Sequence, residues 1–395
     1  MRIGMVLDKT FPPDPRVENE AISLVNAGHQ VFLFCLKYNN EINDDSSNGI
    51  QIKRYKSNKL EYKLSALVYT VPLYTLIMAK KIKHFLINNA IETIHVHDIR
   101  IAQATLNANE QKLPVILDLH DNMPEIIKFY PHLQKFPGKY LISPKKWKRK
   151  EEEFIKNAKR VITVSAEFKS EVMNRTKIDE NKISVVPNTV RQSFYKEYEV
   201  DNKICDMYKN EFVVLYLGDT GLRRGLKTAI EAISLLKTNM PRIRLVIVGE
   251  NTTDTVLKAL VKEQKLEAFV DFQGWQDVKL FPSYILASSV CISPLYRNIQ
   301  HDVAYANKLF QYMSFAKPII ASNATAQKNL ITSKKCGLIH EEKNAHDLAD
   351  KIFKLYQNEQ LREELGYNGK RFIENEFNWE MTSKSLLDLY DSLVI

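Results

Sequence analysis

Glycine is scarce, with 12 in 395 residues, and no complete nucleotide-binding glycine fingerprint is formed. The run after Leu217, "GDTGLRRG", is not G-x-G-x-x-G, so the dinucleotide signature is unmet. It has no Gly-Lys-Ser/Thr either, which excludes a Walker A loop. Cysteine is scarcer still. The four (Cys35, Cys205, Cys291, Cys336) form no C-x-x-C pair, and three lie in or beside apolar runs. Buried thiols in a reducing cytoplasm are expected. No apolar run reaches the ~20 residues of a spanning helix. The longest, residues 64–79, has 16 residues and is interrupted by Pro72, so it is expected as a buried or interfacial helix. No signal peptide is evident in the opening "MRIGMVLD". The polar stretch 39–49, "NNEINDDSSNG", is expected as one exposed loop.

What is abundant is alternation. Short β-branched runs such as "IGMVLD", "QVFLFCL", "TIHVHD" and "VILDLHD" alternate with helical segments, and the alternation restarts at about Val213 with "FVVLYLGD". Strands apolar at nearly every position are buried on both faces, as in parallel sheets. The fold class is α/β, with two doubly wound Rossmann-like domains. Expected boundaries are 1–195, 196–376 and a C-terminal helix over 377–395.

In such sheets ligands gather beyond the carboxyl ends of the strands. That rule selects Gly218, Gly221 and Gly225, which bracket Arg223 and Arg224 between a strand and a helix. Arginine grips phosphate bidentately and helix starts attract anions. The same rule selects "AYANKLFQYMSFAKPIIAS", where a helix is expected to open at Asn307-Lys308. Acidic residues normally occupy a first turn, so Lys308 is placed for phosphate; a solvated lysine after an Asn cap is the alternative. A tight turn with solvated arginines is likewise the alternative for 218–225.

His95, His97 and His120 follow apolar strands, with Asp98 and Asp121 nearby. Our reading sets His95 and His97 on opposite faces of their strand, and no H-E-x-x-H is present, so no metal site is expected. His120 reads as a hydrogen-bonding or acid/base group. Net charge is +9, and residues 139–160 hold nine Lys/Arg against three Glu. With Trp147, Phe154 and Ile155 interleaved, that segment suits an element lying on an anionic membrane surface; a solvated helix face is the alternative. No nucleic-acid module accompanies the charge.

The order of "FPPDPRVENEAISLVNAGHQV", "IHVHDIR", "VILDLHDNMPE", "VITVSAEF", "YLGDTGLRRGLKTAIEAI", "LVIVGE", "VDFQGW" and "NKLFQYMSFAKPIIAS" resembles glycosyltransferase family 4, nearly end to end. The resemblance implies a GT-B fold, with two domains facing a central cleft, the N-terminal one for acceptor and the C-terminal one for nucleotide-sugar. It implies a retaining, bacterial polysaccharide-type transferase. The donor would be a nucleoside diphosphate sugar, with uridine favoured as base, and the acceptor a lipid-linked or growing cell-surface glycan. No cofactor or catalytic metal is implied, and the place of work is the cytoplasmic face of the cell membrane. Catalytic positions carried over are His120 (against the donor sugar), Arg224 and Lys308 (on the phosphates). Donor-binding positions are Gly218, Gly221, Gly225, Gly274, Trp275, Asn307 and Gln311. Cleft or acceptor candidates are Arg16, His97, Asp121 and His301.

The chain departs from the family pattern in three places. The family's Glu-x7-Glu pair falls on Val303 and Gln311, the arginine after Gly218 is Asp219, and the first-loop Gly-Gly is replaced by "PPDPR". His301 or Asp302 stands near enough in sequence to substitute for the first acid. A non-catalytic partner subunit and a sugar-nucleotide epimerase are the alternative functions.

Overall fold

The computed structural model describes residues 1–130, 133, 136 and 138–393. It divides into two compact units: Met1–Pro187 with Ser383–Ile395, and Asn188–Thr382.

The first unit is built on strands β1 (Arg2–Val6), β2 (Gln30–Lys37), β3 (Asp44–Ser47), β4 (Ile50–Lys56), β5 (Thr93–His97), β6 (Val115–Leu119), β7 (Arg160–Thr163) and β8 (Ile183–Val185). Their order in the sheet is β3-β4-β2-β1-β5-β6-β7-β8, parallel except for β3. Inner strands are buried along most of their length, as β2 is from Val31 to Leu36, which is why they read as unbroken apolar runs. The polar stretch at 39–49 is not wholly a loop. Asp44–Ser47 pairs antiparallel with β4, and its own residues are mostly exposed. A polar edge strand lacks the apolar alternation that announces a strand, and polar side chains also protect an open edge.

The apolar run at 64–79 is divided at Pro72. One helix ends at Ser65 and the next runs Leu73–Asn88. Among the described residues no helix is long and apolar enough to cross a membrane. The basic segment forms the helix Pro144–Asn157, capped by Ser143, but its apolar face turns inward. Trp147, Phe154 and Ile155 are all buried, and Trp147 packs edge-on to Tyr69 at 4.9 Å. The expectation that these three face a bilayer is therefore corrected. Glu151 is buried too, 2.8 Å from Arg175.

The second unit holds β9 (Phe212–Leu217), β10 (Ile243–Val248), β11 (Val270–Gly274), β12 (Val290–Ser293), β13 (Ile319–Ser322) and β14 (Gly337–His340), in the order β11-β10-β9-β12-β13-β14. Its two faces follow the period-2 rule. Val214, Tyr216, Leu245 and Ile247 join one core with Leu226, Ile230 and Ile233 of the helix Leu226–Leu236. Val213, Leu215, Leu217, Val246 and Val248 join the other with Leu309, Phe310 and Met313.

Candidate active site

Each sheet reverses its direction of growth once, and there the loops part and leave room for a ligand. In the second unit the switch lies between β9 and β12. The loops after these strands meet at Gly225, whose φ is +81° and where a Cβ would stand 1.7 Å from the Pro294 carbonyl oxygen. Only glycine fits, so Gly225 serves loop packing rather than approach to a ligand.

Lys308 opens the seven-residue helix Lys308–Ser314. Asn307 precedes it without a capping hydrogen bond from its side chain and is exposed. Lys308 is only 8% exposed, and its Nζ has no hydrogen-bond partner. It stands 3.3 Å from the centroid of the Tyr216 ring. Burial, and then the nearby Arg224, push its pKa well below the ordinary lysine value. A ring face offsets part of the cost of a buried cation, but an anion is the missing partner. Gly218, beside this amine, takes a φ of +108°, a conformation that side chains rarely adopt.

Arg224 is turned to Asp219, with Nε donating to Oδ2 at 3.0 Å. Asp219 also accepts from Asn251 Nδ2 at 2.6 Å and from the Gly221 amide at 3.3 Å. Burial alone would raise the Asp219 pKa, yet Arg224 and these donors hold it below the usual range. Thus Asp219 orients Arg224 and brings a negative charge into the same loop. Gln311 is half-buried, Val303 is buried, and Trp275 is 69% exposed beside Gly274. His301 is buried; its Nδ1 lies 2.6 Å from the Tyr296 carbonyl and its Nε2 3.4 Å from Arg223. Burial pushes its pKa down to about 4, so it is a neutral imidazole. Asp302 accepts from the Thr325 amide at 2.7 Å and pairs with Arg297 at 3.1 Å.

In the first unit the switch lies between β1 and β5. The centre there is Asp118, fully buried on β6. Arg16, from the helix Pro15–Asn26, reaches its carboxylate with Nη2 at 2.7 Å and Nε at 3.2 Å. Arg16 also meets Glu20 at 2.9 Å and donates to the Val186 carbonyl at 3.0 Å. Its charge is therefore engaged inside the unit. His120 Nε2 stands 2.7 Å from Asp118 Oδ2, and His97 Nδ1 3.3 Å from the same oxygen. His95 bonds the hydroxyl of Tyr390, from the terminal helix Lys384–Asp391, at 2.9 Å.

His95 and His97 lie on one face of β5, contrary to the expectation from sequence. Their rings stack with centroids 4.5 Å apart, because residues two apart on a strand point the same way. Glu20, His95, His97 and Asp118 consequently offer four ligand atoms within 4.8 Å of one another. A cation of another kind already meets both carboxylates, the Arg16 guanidinium, and a metal would have to displace it.

The charges divide unequally. Burial would lower the pKa of His120, but Asp118 and Asp98 raise it to about 9. Burial, with His95 beside it, keeps His97 neutral. Burial raises Glu20 to about 7 against the pull of Arg16. Asp98 follows β5 with φ +64° and accepts from the His120 amide at 3.3 Å. Asp121 follows His120 and is half-buried. The sequence reading missed Glu20, Asp118 and Tyr390. Asp118 left a signal, an acid inside the apolar run "VILDL", which a buried strand tolerates only when paired.

Residues 16–194 match the family model described as Glycosyltransferase Family 4, and residues 199–372 that described as Glycosyl transferases group 1. The capsular polysaccharide biosynthesis glycosyltransferase CapM of Staphylococcus aureus is 22% identical over 251 residues, covering 59% of this chain and 62% of that protein. An uncharacterized glycosyltransferase of Methanocaldococcus jannaschii is 24% identical over 351 residues, covering 86% of this chain and 88% of that one. The chain spans 62% and 60% of the length of the first two curated relatives it matches. Among solved structures, sucrose-phosphate synthase of Thermosynechococcus elongatus superposes with a TM-score of 0.82 at 19% identity, covering 100% of this chain and 99% of that one. HepE of Anabaena, in complex with UDP-glucose, superposes with 0.73 at 14% identity, covering 99% and 100%. At such identities the superpositions show the fold, that of the GT-B glycosyltransferases.

Proposed function

The chain belongs to glycosyltransferase family 4, and on that premise we propose that it moves a sugar from a nucleoside diphosphate sugar, with uridine as base, to a lipid-linked or growing cell-surface glycan, with retention of anomeric configuration. The observation that carries this reading is the Lys308 amine, buried without a hydrogen-bond partner at the switch point of the second unit and ready to be a cation beside a bound diphosphate. A departing diphosphate develops negative charge, and a fixed cation held away from water stabilises that charge more than it stabilises the intact donor. Arg224, oriented by Asp219, supplies a second positive group. UDP-glucose in the complex of HepE supports the choice of donor class.

In this reading His120 is a cationic hydrogen-bond donor to a sugar hydroxyl, anchored from behind by Asp118. No metal takes part, since the leaving group is neutralised by side chains. Gln311 offers an amide to a ribose hydroxyl in place of the family acid. The test is transfer from UDP-hexoses to a lipid-linked glycan, with the anomeric configuration of the product read by NMR. An α-linked product from an α-linked donor is expected; a β-linked product overturns the retaining assignment.

The buried Val303 and half-buried Gln311 favour a second reading, a non-catalytic partner subunit that binds nucleotide without transfer. Saturable UDP binding with no product on any acceptor would select it.

A further inference from the structure

The first unit contains a cavity of about 820 Å³ that the chemistry above does not use. Its wall is formed by Tyr62, Ala66, Leu67, Met123, Ile127 and Trp147, with Lys63 and Arg100 among the few charged groups that line it. That volume falls in the range of about 300–1,000 Å³ typical of ligand pockets. Arg100 is turned to Asp8, Nε to Oδ2 at 3.3 Å, whereas Lys63 is exposed. Tyr62 and Phe136, both cavity-lining, are 61% and 84% exposed, and Leu60 and Tyr140 nearby in the chain are 66% and 76% exposed. Large apolar side chains left in water this way mark a contact surface.

Both charged side chains that line the cavity, Lys63 and Arg100, are cationic, Arg100 being paired with Asp8. The helix that supplies Trp147 to the wall also carries Lys145, Lys148 and Arg149, all exposed, and Lys139 precedes it. A neutral apolar ligand would gain nothing from such a border. An anionic amphiphile uses both features, its hydrocarbon chain in the cavity and its phosphate against the exposed Lys63.

We propose that this cavity holds the hydrocarbon chain of a lipid phosphate, the anchor of the acceptor to which the sugar is transferred. The inference rests on the transferase reading for the word acceptor, and on the cavity alone for the lipid. It also relocates membrane contact from the buried Trp147, Phe154 and Ile155 to Tyr62, Phe136 and Tyr140.

The test titrates the full chain with octyl, decyl and dodecyl phosphate below their micelle concentrations. Affinity should rise about fourfold per added methylene, and dodecyl trimethylammonium should bind at least tenfold more weakly than dodecyl phosphate. Ala66→Trp fills the cavity from one element and Met123→Trp from another. Whichever keeps the parent's melting temperature and UDP binding should lose at least tenfold in affinity for dodecyl phosphate. Affinity independent of chain length, or equal binding by a folded cavity-filling variant, overturns the proposal. In transfer assays Ala66→Trp should raise KM for a long-chain acceptor and leave a short-chain analogue unchanged; equal KM for both acceptors in the parent removes the acceptor role. A chain-length series that holds with no sugar transferred leaves the cavity assigned and defeats the transferase reading instead.

Discussion

Lys308 Nζ stands 3.3 Å from the centre of the Tyr216 ring with no hydrogen-bond partner. Burial and Arg224 lower its pKa, so a bound diphosphate, by restoring a counter-charge, should draw a proton onto the amine. Calorimetry of UDP binding in buffers of differing ionisation enthalpy should show net proton uptake. Lys308→Met should abolish that uptake and raise the melting temperature of the unliganded protein, because it removes an uncompensated buried amine. A lower melting temperature would mean the amine is satisfied in the free protein.

Arg224 donates from Nε to Asp219 at 3.0 Å. If it stabilises the leaving diphosphate, Arg224→Ala should cut kcat by roughly 10²- to 10³-fold. Asp219→Asn keeps a side-chain acceptor for Arg224 Nε, and should cost less. An unchanged rate in Arg224→Ala removes the arginine from the reaction.

The proton on His120 gives a pH signature. Its pKa in the folded chain is about 9, raised from an ordinary 6.5. The stability it contributes is fully present below pH 6.5 and is lost as pH rises through 9. Glu20, raised to about 7 from 4.5, also makes stability fall as pH rises, over the window 4.5 to 7. Asp118 acts in the opposite sense, adding stability that is lost only in acid. Because Lys308, with its lowered pKa, acts in the opposite sense over the same range, the test is the difference between parent and His120→Gln: the melting-temperature advantage of the parent should shrink from pH 6.5 to 9.5. A difference that stays constant across this range contradicts the assignment of a cationic His120.

Trp147 and the lysines beside it do different work. Trp147→Ala should destabilise the first unit by about 3–5 kcal/mol, as loss of a large buried side chain does. Neutralising Lys145, Lys146, Lys148 and Arg149 together should leave the melting temperature within a few degrees and weaken binding to anionic liposomes. Binding equal to the parent would show that this rim does not meet a membrane.

These residues also show what a sequence can carry. The buried parallel strands were legible because a strand such as β2 is apolar at every position from Val31 to Leu36. The β3 edge was not, since exposed Asp44–Ser47 has no reason to alternate. Lys308 stood out because a cation is out of place at a helix start. Arg16 was selected without its partner and Asp118 was missed, because their ion pair joins positions 102 residues apart, and long-range pairing leaves no local pattern. The helix Pro144–Asn157 shows the same limit in another form. Its basic and apolar residues were plain, but which face met the core was decided by Tyr69.

The most direct measurement is a calorimetric titration of the parent and Lys308→Met with UDP and GDP. The account predicts one saturable site for UDP in the parent, weaker binding of GDP, and no measurable binding of either by the variant. Equal UDP binding by both proteins, or none by the parent, contradicts the placing of the donor diphosphate at Lys308.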